Sequence, residues 1–264
     1  MWFSVVRRIG REGGALRKRI LRGDTVFGTF MKLPSAQIVE ILGLAGLDFA
    51  IFDAEHGPLT FESIEMLTRA AEAANICPLV RVYENDSALI SRALDVGAEG
   101  VLVPHMVTAA NVESLVSAAR YHPEGNRGIC RYVRAAGFSS VDRHTYFKNA
   151  NENTLTVAMI EGKEGIANLD SILEVPGVDL VFVGPYDLSQ SLGVPGQVEH
   201  PSVVEAMQDI SAKALAKNVA LGTFADDAKT ALRWSNAGVQ FIAISVDVGL
   251  FYESVKGLVD ELAL

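Results

Sequence analysis

The chain has 264 residues, 49% of them hydrophobic and 21% charged, which excludes a largely disordered protein and allows a sizeable buried core. Only two cysteines occur, Cys77 and Cys130, so a disulfide framework is excluded and a reducing compartment, the cytoplasm, is expected. The net charge of −9 argues against nucleic acid as a partner, and no apolar run reaches ~18 residues, so no membrane span is expected.

Basic residues crowd the amino-terminal stretch. Seven of them lie within residues 1–22: Arg7, Arg8, Arg11, Arg17, Lys18, Arg19 and Arg22. One interpretation is a targeting or anion-binding arm. The interpretation we favour is a solvated helix that leads into the domain, because the stretch lacks the apolar region of a secretory signal. We therefore expect a basic extension over 1–22 and one domain over 23–264.

Eight short apolar runs alternate with amphipathic stretches along the rest of the chain. The runs cover 26–30, 49–52, 78–82, 101–103, 155–160, 180–183, 219–224 and 241–244. Helical patterns such as 63–74, 109–121 and 203–217 separate them. Before four of the runs a glycine follows the helical pattern, as expected of a left-handed helix cap: Gly46, Gly97, Gly177 and Gly238. Eight such units predict a single-domain (β/α)8 barrel. A doubly wound sheet is the alternative, although no nucleotide-binding glycine motif is present.

One insertion interrupts this rhythm between the fourth helical pattern and the fifth run. It covers residues 122–153 and is rich in Gly, Arg and Asn. Connections of this length are usually functional lids or interface loops. Arg127, Arg131 and Arg134 in this insertion either bind an anionic substrate tail or contact another subunit.

Ionisable residues follow the apolar runs at the places where the strands of a barrel would end. They are Asp53, Glu55, His56, Arg81, His105, Glu161, Asp187 and Asp247. In a barrel the carboxyl ends of all strands meet at one face, where the catalytic residues lie. Burying so many charges at the ends of apolar strands costs several kcal/mol each unless they are paired or metal-bound. We therefore expect an active site at this face.

Glu161 and Asp187 follow adjacent predicted strands. Two neighbouring carboxylates repel each other unless a positive charge lies between them, and a hard divalent cation with oxygen ligands supplies that charge. Mg²⁺ or Mn²⁺ is expected, with most coordination positions left to water and substrate. The alternative is that each carboxylate pairs with a lysine or arginine, or caps a helix.

His56 shares a short turn with Asp53 and Glu55, so it is either a general base or a structural hydrogen-bonding residue. Arg81 interrupts an apolar strand, so it forms a buried pair with one of these two acids or binds a substrate anion.

Three further residues carry weaker signals. His105 and His122 lack a partner at metal-ligand spacing and are interpreted as pocket or surface residues. Lys32, near the end of the first strand, has no evident apolar pocket to lower its pKa, which favours a metal mechanism over a Schiff base.

An ordered set of motifs resembles the HpcH/HpaI family of class II pyruvate aldolases, which includes 4-hydroxy-2-oxoheptanedioate and 2-dehydro-3-deoxyglucarate aldolases. The resemblance extends from about Ala15 to the carboxyl terminus. Each motif alone is weak, and the ordered set is specific. The motifs are Asp53-x-Glu55-His56-Gly57-Pro58, Pro78-Leu79-Val80-Arg81-Val82, Leu94-Asp95-Val96-Gly97-Ala98, Asn126-Arg127-Gly128, Ile160-Glu161-x-x-Glu164-Gly165 and Gly184-Pro185-x-Asp187-Leu188-Ser189.

The resemblance implies a (β/α)8 barrel that assembles into a dimer-based hexamer. It implies that Glu161 and Asp187 hold Mg²⁺ or Mn²⁺, with Co²⁺ as a further option, and that a 2-oxoacid binds this metal. Gly184 and Pro185, with the amides of Tyr186 and Asp187, would contact the substrate. Arg81 would stabilise the enolate, and His56 beside Asp53 would act as acid and base. Asp95 of a neighbouring subunit would be the acid partner of that histidine.

Two departures from the family pattern concern the pocket. Met159 stands where family members commonly carry Gln, and Tyr186 where they commonly carry a small residue. The expected function is metal-dependent cleavage of a 4-hydroxy-2-oxoacid to pyruvate, or a close 2-oxoacid, and an aldehyde. The alternative is a related carbon–carbon lyase or decarboxylase acting on oxaloacetate, and the third hypothesis is a binding module that has lost turnover.

Overall fold

The computed structural model describes residues 15–262, and most of the predicted basic extension, 1–14, lies outside the described residues together with 263–264. Eight parallel strands close into a barrel in the order β1 to β8, with β8 beside β1. The predicted single-domain (β/α)8 barrel is therefore confirmed, and the doubly wound alternative is wrong.

All eight predicted apolar runs form strands. They are β1 Val26–Met31, β2 Phe49–Asp53, β3 Cys77–Arg81, β4 Gly100–Val103, β5 Leu155–Ile160, β6 Leu180–Val183, β7 Ala220–Ala225 and β8 Phe241–Val246. The helices are α1 Ala15–Leu21, α2 Ala36–Ala45, α3 Phe61–Ala74, α4 Ser87–Asp95, α5 Ala109–Ala119, α6 Arg143–Asn153, α7 Lys163–Ala167, α8 Leu169–Ile172, α9 Pro185–Ser191, α10 Pro201–Ala216, α11 Ala228–Asn236 and α12 Asp247–Leu262.

Local sequence signals set the limits of these elements. Gly46, Gly97, Gly177 and Gly238 all have φ between 90° and 105°, the left-handed region that glycine adopts without strain. Side chains cap the amino-terminal ends of several helices. For example, Thr60 accepts a hydrogen bond from the Ser63 amide at the start of α3.

Aromatic side chains fill the barrel interior. The rings of Phe49 and Phe241 stack with their centroids 3.9 Å apart, and Phe30 meets Phe182 edge to face at 6.0 Å. A Cβ at Gly28 would lie 2.3 Å from the Phe49 carbonyl oxygen, so only glycine fits here. Because this interior is packed, ionisable groups are confined to its two ends.

Helix α1 closes the amino-terminal end of the barrel. Its Leu16 and Ile20 are 1% and 2% exposed. Arg17 Nη2 donates to Asp179 Oδ1 at 2.7 Å, and Arg120 Nη2 lies 3.0 Å from Asp179 Oδ2. The described part of the basic stretch is a helix that leads into the domain, in line with the favoured interpretation, but it is solvated on one face only. Its apolar face packs on the barrel, an effect of tertiary contact that the charge pattern does not reveal.

The long insertion also lies at the amino-terminal end, because it joins the end of α5 to the start of β5. It contains a 3-10 segment, Arg134–Ser139, followed by α6, and it packs around Tyr121 and Tyr146. It therefore cannot form a lid over the carboxyl ends of its own strands. Arg127 and Arg134 pair there with Asp95 and Glu72, and Arg131 donates to the Ser139 carbonyl, so none of them faces the predicted active site of the same chain.

Helix α12 differs from the other barrel helices in its exposure. Every residue from 248 to 262 except Gly249 is exposed, although many of these residues are apolar, such as Phe251, Leu258 and Leu262. Between Ala15 and Leu262, no helix is both long and apolar enough to cross a bilayer.

We expect Ile20→Ala to lower the free energy of unfolding by about 2 to 5 kcal/mol, because it leaves a cavity where α1 covers the barrel. Leu21→Ala is the matched control, since Leu21 is 49% exposed. Urea unfolding followed by circular dichroism measures both changes. Equal effects of the two variants would show that α1 does not close the barrel.

Candidate active site

A cavity of about 140 Å³ opens at the carboxyl ends of the strands. Its charged lining comes from Lys32, Asp53, Arg81 and Asp187, each near the end of a different strand. Its apolar walls are Phe30, Met159, Phe182, Phe224 and Val246, and Gly184, Pro185 and Tyr186 complete one side. The predicted substrate-binding residues thus lie together around one cavity.

A buried ion pair joins β2 to β3 at the base of the cavity. Asp53 and Arg81 are partners in the strand register. Arg81 Nε donates to Asp53 Oδ1 at 2.9 Å, and Nη2 donates to Oδ2 at 2.7 Å. The guanidinium also lies over the Phe30 ring, 4.8 Å from its centroid. Of the two sequence interpretations of Arg81, the structure shows the buried pair.

Asp53 also organises the turn that follows β2. Its Oδ1 accepts hydrogen bonds from the Glu55 and His56 amides, both at 3.1 Å. Burial by itself would raise the pKa of Asp53, but the hydrogen bonds and the charge of Arg81 hold the pKa below its usual 3.8. Asp53 therefore stays ionised and fixes the position of the next two residues.

Glu55 and His56 stand beside this pair. Glu55 Oε2 lies 3.1 Å from Arg81 Nη1 and 3.9 Å from His56 Nε2. The Glu55 side chain is 9% exposed, whereas that of His56 is 62% exposed. The His56 ring is thus open to solvent, whereas the Glu55 carboxylate beside it is buried.

His105 links two acids of the site, although the sequence alone assigns it only to the pocket or the surface. Its backbone N–H donates to Glu161 Oε2 at 3.0 Å, and its ring Nδ1 lies 3.1 Å from the same oxygen. Its Nε2 lies 3.4 Å from Glu55 Oε1. The backbone reaches this position through a φ of 59°, which is uncommon for a residue other than glycine and which sequence patterns do not show.

Glu161 and Asp187 lie close together at the ends of β5 and β6. A Cβ placed on Gly184 would lie 3.6 Å from both Asp187 Oδ2 and Glu161 Cγ, so the absence of a side chain there leaves a space between the two acids. Burial raises the pKa of Glu161, contacts with His105 oppose this shift, and the charges of Asp187 and Glu55 add to it.

Neither of these two acids has a lysine or arginine ion-pair partner among residues 15–262. The alternative in which each is neutralised by such a residue is therefore not observed. Within the same residues, no group of three or more His, Cys, Asp and Glu side chains is arranged around a common metal position. Glu161 and Asp187 are thus two neighbouring carboxylates without a lysine or arginine partner in this part of the chain.

Tyr186 forms one wall of the cavity and is anchored outside it. Its hydroxyl donates to Asp226 Oδ1 at 2.7 Å, and its ring meets that of Phe224 edge to face. Burial and the Asp226 carboxylate raise the pKa of the Tyr186 phenol to about 12, so the phenol stays neutral. Sequence reasoning missed Asp226, although the Asp226-Asp227 pair directly after the seventh run was an available signal.

Asp95 and His122 lie at the other end of the barrel from the cavity. Asp95 ends α4 and pairs with Arg127 at 2.7 Å, close to the start of β4 and therefore at the opposite end of the barrel from His56. His122 lies in the insertion at the same end. Within one chain, Asp95 is not brought to His56.

A closed parallel barrel with acids and bases gathered at the carboxyl ends of its strands defines an enzyme of the barrel class. A model of the HpcH/HpaI aldolase/citrate lyase family matches residues 26–254. The chain belongs to the HpcH/HpaI aldolase/citrate lyase family, which confirms the predicted resemblance.

Named relatives cover nearly the whole chain. Hydroxypyruvate/pyruvate aldolase of Roseobacter denitrificans is 36% identical over 243 residues, 92% of this chain and 94% of that one. 2-Keto-3-deoxy-L-rhamnonate aldolase of Salmonella gallinarum is 35% identical over 240 residues, 90% of this chain and 89% of that one. The crystal structure of an HpcH/HpaI aldolase from Desulfitobacterium hafniense superposes with a TM-score of 0.89 at 34% identity, covering 94% of this chain and 96% of that one. These relatives confirm the aldolase class.

We expect Asp53→Asn to lower the free energy of unfolding by about 3 kcal/mol at neutral pH, because it removes the carboxylate that accepts two hydrogen bonds from the buried Arg81 and leaves only Glu55 as its anionic partner. Folding lowers the pKa of Asp53. Its contribution to the free energy of unfolding is therefore fully present above pH 3.8, the pKa of the unfolded chain, and is lost as the pH falls through the lower pKa of the folded state.

Urea titrations at several pH values measure this difference. The gap between wild type and Asp53→Asn should narrow as the pH falls below 3.8, whereas the exposed control Asp260→Asn should show little gap at any pH. A gap that widens in acid would contradict the assignment of the pair.

Proposed function

We propose that this protein is a metal-dependent aldolase that reversibly cleaves a 4-hydroxy-2-oxoacid to pyruvate, or a close 2-oxoacid, and an aldehyde. The observation that carries the proposal is the pair of acids, Glu161 and Asp187, which lie side by side at the ends of β5 and β6, with Asp187 lining the cavity and with no lysine or arginine ion-pair partner in the described chain. The aldolase relatives support the reaction type. The two-cysteine composition supports action in the cytoplasm.

The donor set fits a hard divalent cation. Four carboxylates, those of Asp53, Glu55, Glu161 and Asp187, face two cationic side chains, those of Lys32 and Arg81. With the histidines neutral, these side chains carry a net charge of about −2, which a divalent cation balances. Glu161 and Asp187 would hold Mg²⁺ or Mn²⁺, and Co²⁺ suits the same oxygens less well. When bound, the cation supplies positive charge to the keto oxygen as a Lewis acid.

The residues of the chain would divide the remaining work. His56, exposed at the mouth and beside Glu55, takes the proton of the substrate 4-hydroxyl. The C3–C4 bond then breaks, its electron pair enters the pyruvate enolate, and the aldehyde leaves. Arg81 stabilises the enolate oxygen through N–H groups not used by Asp53 or Glu55, and the proton that His56 took is returned at C3, which completes pyruvate.

A homo-oligomer would complete the site. The apolar side chains of α12 are exposed on the chain alone, which indicates that another copy covers them. In such an assembly, a dimer-based hexamer, Asp95 of the partner subunit would reach His56 and orient its ring. The amino-terminal position of Asp95 in its own barrel supports a role only in trans.

We expect pyruvate release from 4-hydroxy-2-oxoacids to stop after chelation and to return with Mg²⁺ or Mn²⁺. Glu161→Gln and Asp187→Asn should lose both turnover and Mn²⁺ binding, because each removes one of the two anionic ligands. His105→Ala should weaken Mn²⁺ binding by about 10 to 100-fold, since it removes the ring that orients Glu161.

Coupling to lactate dehydrogenase measures pyruvate, and calorimetry measures Mn²⁺ binding. Glu164→Gln is the control, because Glu164 follows the same strand but is exposed on α7. Full activity of the chelated enzyme would refute the proposed metal role.

We expect Phe251→Glu to shift the protein to a smaller assembly, because it places a charge on the apolar face of α12. Light scattering after gel filtration measures the mass. Glu253→Gln, on the same helix, should leave the assembly unchanged. A wild-type monomer would overturn the proposal of an oligomer.

A further inference from the structure

Lys32 is a cation in the cavity that the proposed reaction does not use. It directly follows β1 and lines the cavity together with Arg81, Tyr186 and Asp187. Its backbone N–H donates to Asp247 Oδ1 at 3.0 Å, and the Leu33 N–H donates to Asp247 Oδ2 at 2.9 Å. Asp247 is 4% exposed, so these bonds hold the backbone of Lys32 in place. The lysine is thus positioned at the cavity by a buried carboxylate.

The Lys32 ammonium has no close anionic partner in the described chain. Its ion-pair contact is to Asp53 Oδ2, at 3.9 Å, beyond hydrogen-bond distance. Arg81 already donates to both oxygens of Asp53 at 2.7 and 2.9 Å. The Lys32 side chain is 31% exposed, so a ligand that enters the cavity can reach it.

The other donors at the cavity either have partners within the chain or are assigned to the enolate oxygen in the proposed reaction. Arg81 contacts Asp53 and Glu55, and the Tyr186 hydroxyl donates to Asp226. Among residues 15–262, Lys32 is therefore the cavity-lining cation whose hydrogen-bonding capacity is unused. An ammonium in this state suits a carboxylate of a bound substrate.

We infer that Lys32 binds a second carboxylate of the substrate, distinct from the 2-oxoacid end that Glu161 and Asp187 would hold. The substrates are then an aldehyde and a 2-oxoacid donor, one of which carries an additional carboxylate. This inference rests on the proposed aldolase function and narrows its substrates. Lys32 is a specificity-determining residue. Its contribution is measured as the ratio of kcat/KM for a carboxylate-bearing substrate to kcat/KM for its uncharged counterpart.

Matched substrate pairs test this inference. For the aldehyde, glyoxylate is compared with glycolaldehyde, and succinic semialdehyde with butanal, in aldol addition to pyruvate. For the donor, oxaloacetate is compared with 2-oxobutyrate. Lys32→Met keeps the apolar stem and removes the charge, so it should lower kcat/KM for the carboxylate-bearing member of at least one pair about tenfold more than for its partner.

Two further variants sharpen the result. Lys32→Arg should keep most of the wild-type kcat/KM ratio between the charged and the uncharged substrate, because arginine retains the positive charge. Lys148→Met removes an exposed lysine of α6, at the opposite end of the barrel, and should leave every ratio unchanged. The pair that responds shows whether the second carboxylate belongs to the aldehyde or to the donor.

Three outcomes would overturn the inference. An unchanged ratio for all three pairs in Lys32→Met would show that the lysine does not select charge. If Lys32→Arg did not restore the kcat/KM ratio, the loss in Lys32→Met would be a steric effect of the substitution. Trapping of pyruvate on Lys32 by borohydride would assign the lysine to Schiff-base chemistry. Wild-type protein without turnover on either member of any pair would refute the proposed function itself, a result distinct from an active wild type with unchanged ratios.

Discussion

Two carboxylates at the ends of neighbouring strands, Glu161 and Asp187, repel each other across the space beside Gly184. The parallel barrel forces this proximity, because the carboxyl ends of β5 and β6 lie side by side. His105 contacts one oxygen of Glu161 and relieves only part of the repulsion. The proposed divalent cation would neutralise this repulsion, and the neighbouring residues are interpreted in relation to that proposed site.

A second charge system lies next to the first and is satisfied within the chain. Asp53 and Arg81 form a buried, two-fold hydrogen-bonded pair that also holds the turn carrying Glu55 and His56. Such a pair adds little to stability by itself, but it fixes geometry strongly because breaking it is costly. One side of the cavity is thus rigid and neutral, whereas the other is acidic and open to a ligand.

Much of this arrangement could be predicted from the sequence, because periodicity and strand-end position are local signals. The eight apolar runs, and the glycines that precede four of them, predict the barrel, and the acids after the runs predict its active face. Contacts between distant segments could not be predicted in the same way. The role of His105 depends on a left-handed backbone conformation, and the packing of α1 depends on the far end of the barrel.

Asp247 serves two elements at once. Its carboxylate accepts the amides of Lys32 and Leu33 and also that of Val248, the second residue of α12. The first turn of α12 and the edge of the cavity are therefore both hydrogen-bonded to a single buried side chain. A tilt of that helix, of the kind that contact with a neighbouring molecule imposes, would be transmitted directly to the Lys32 backbone. Oligomerisation and substrate selectivity would then be coupled, and dilution that dissociates the oligomer would change the substrate selectivity.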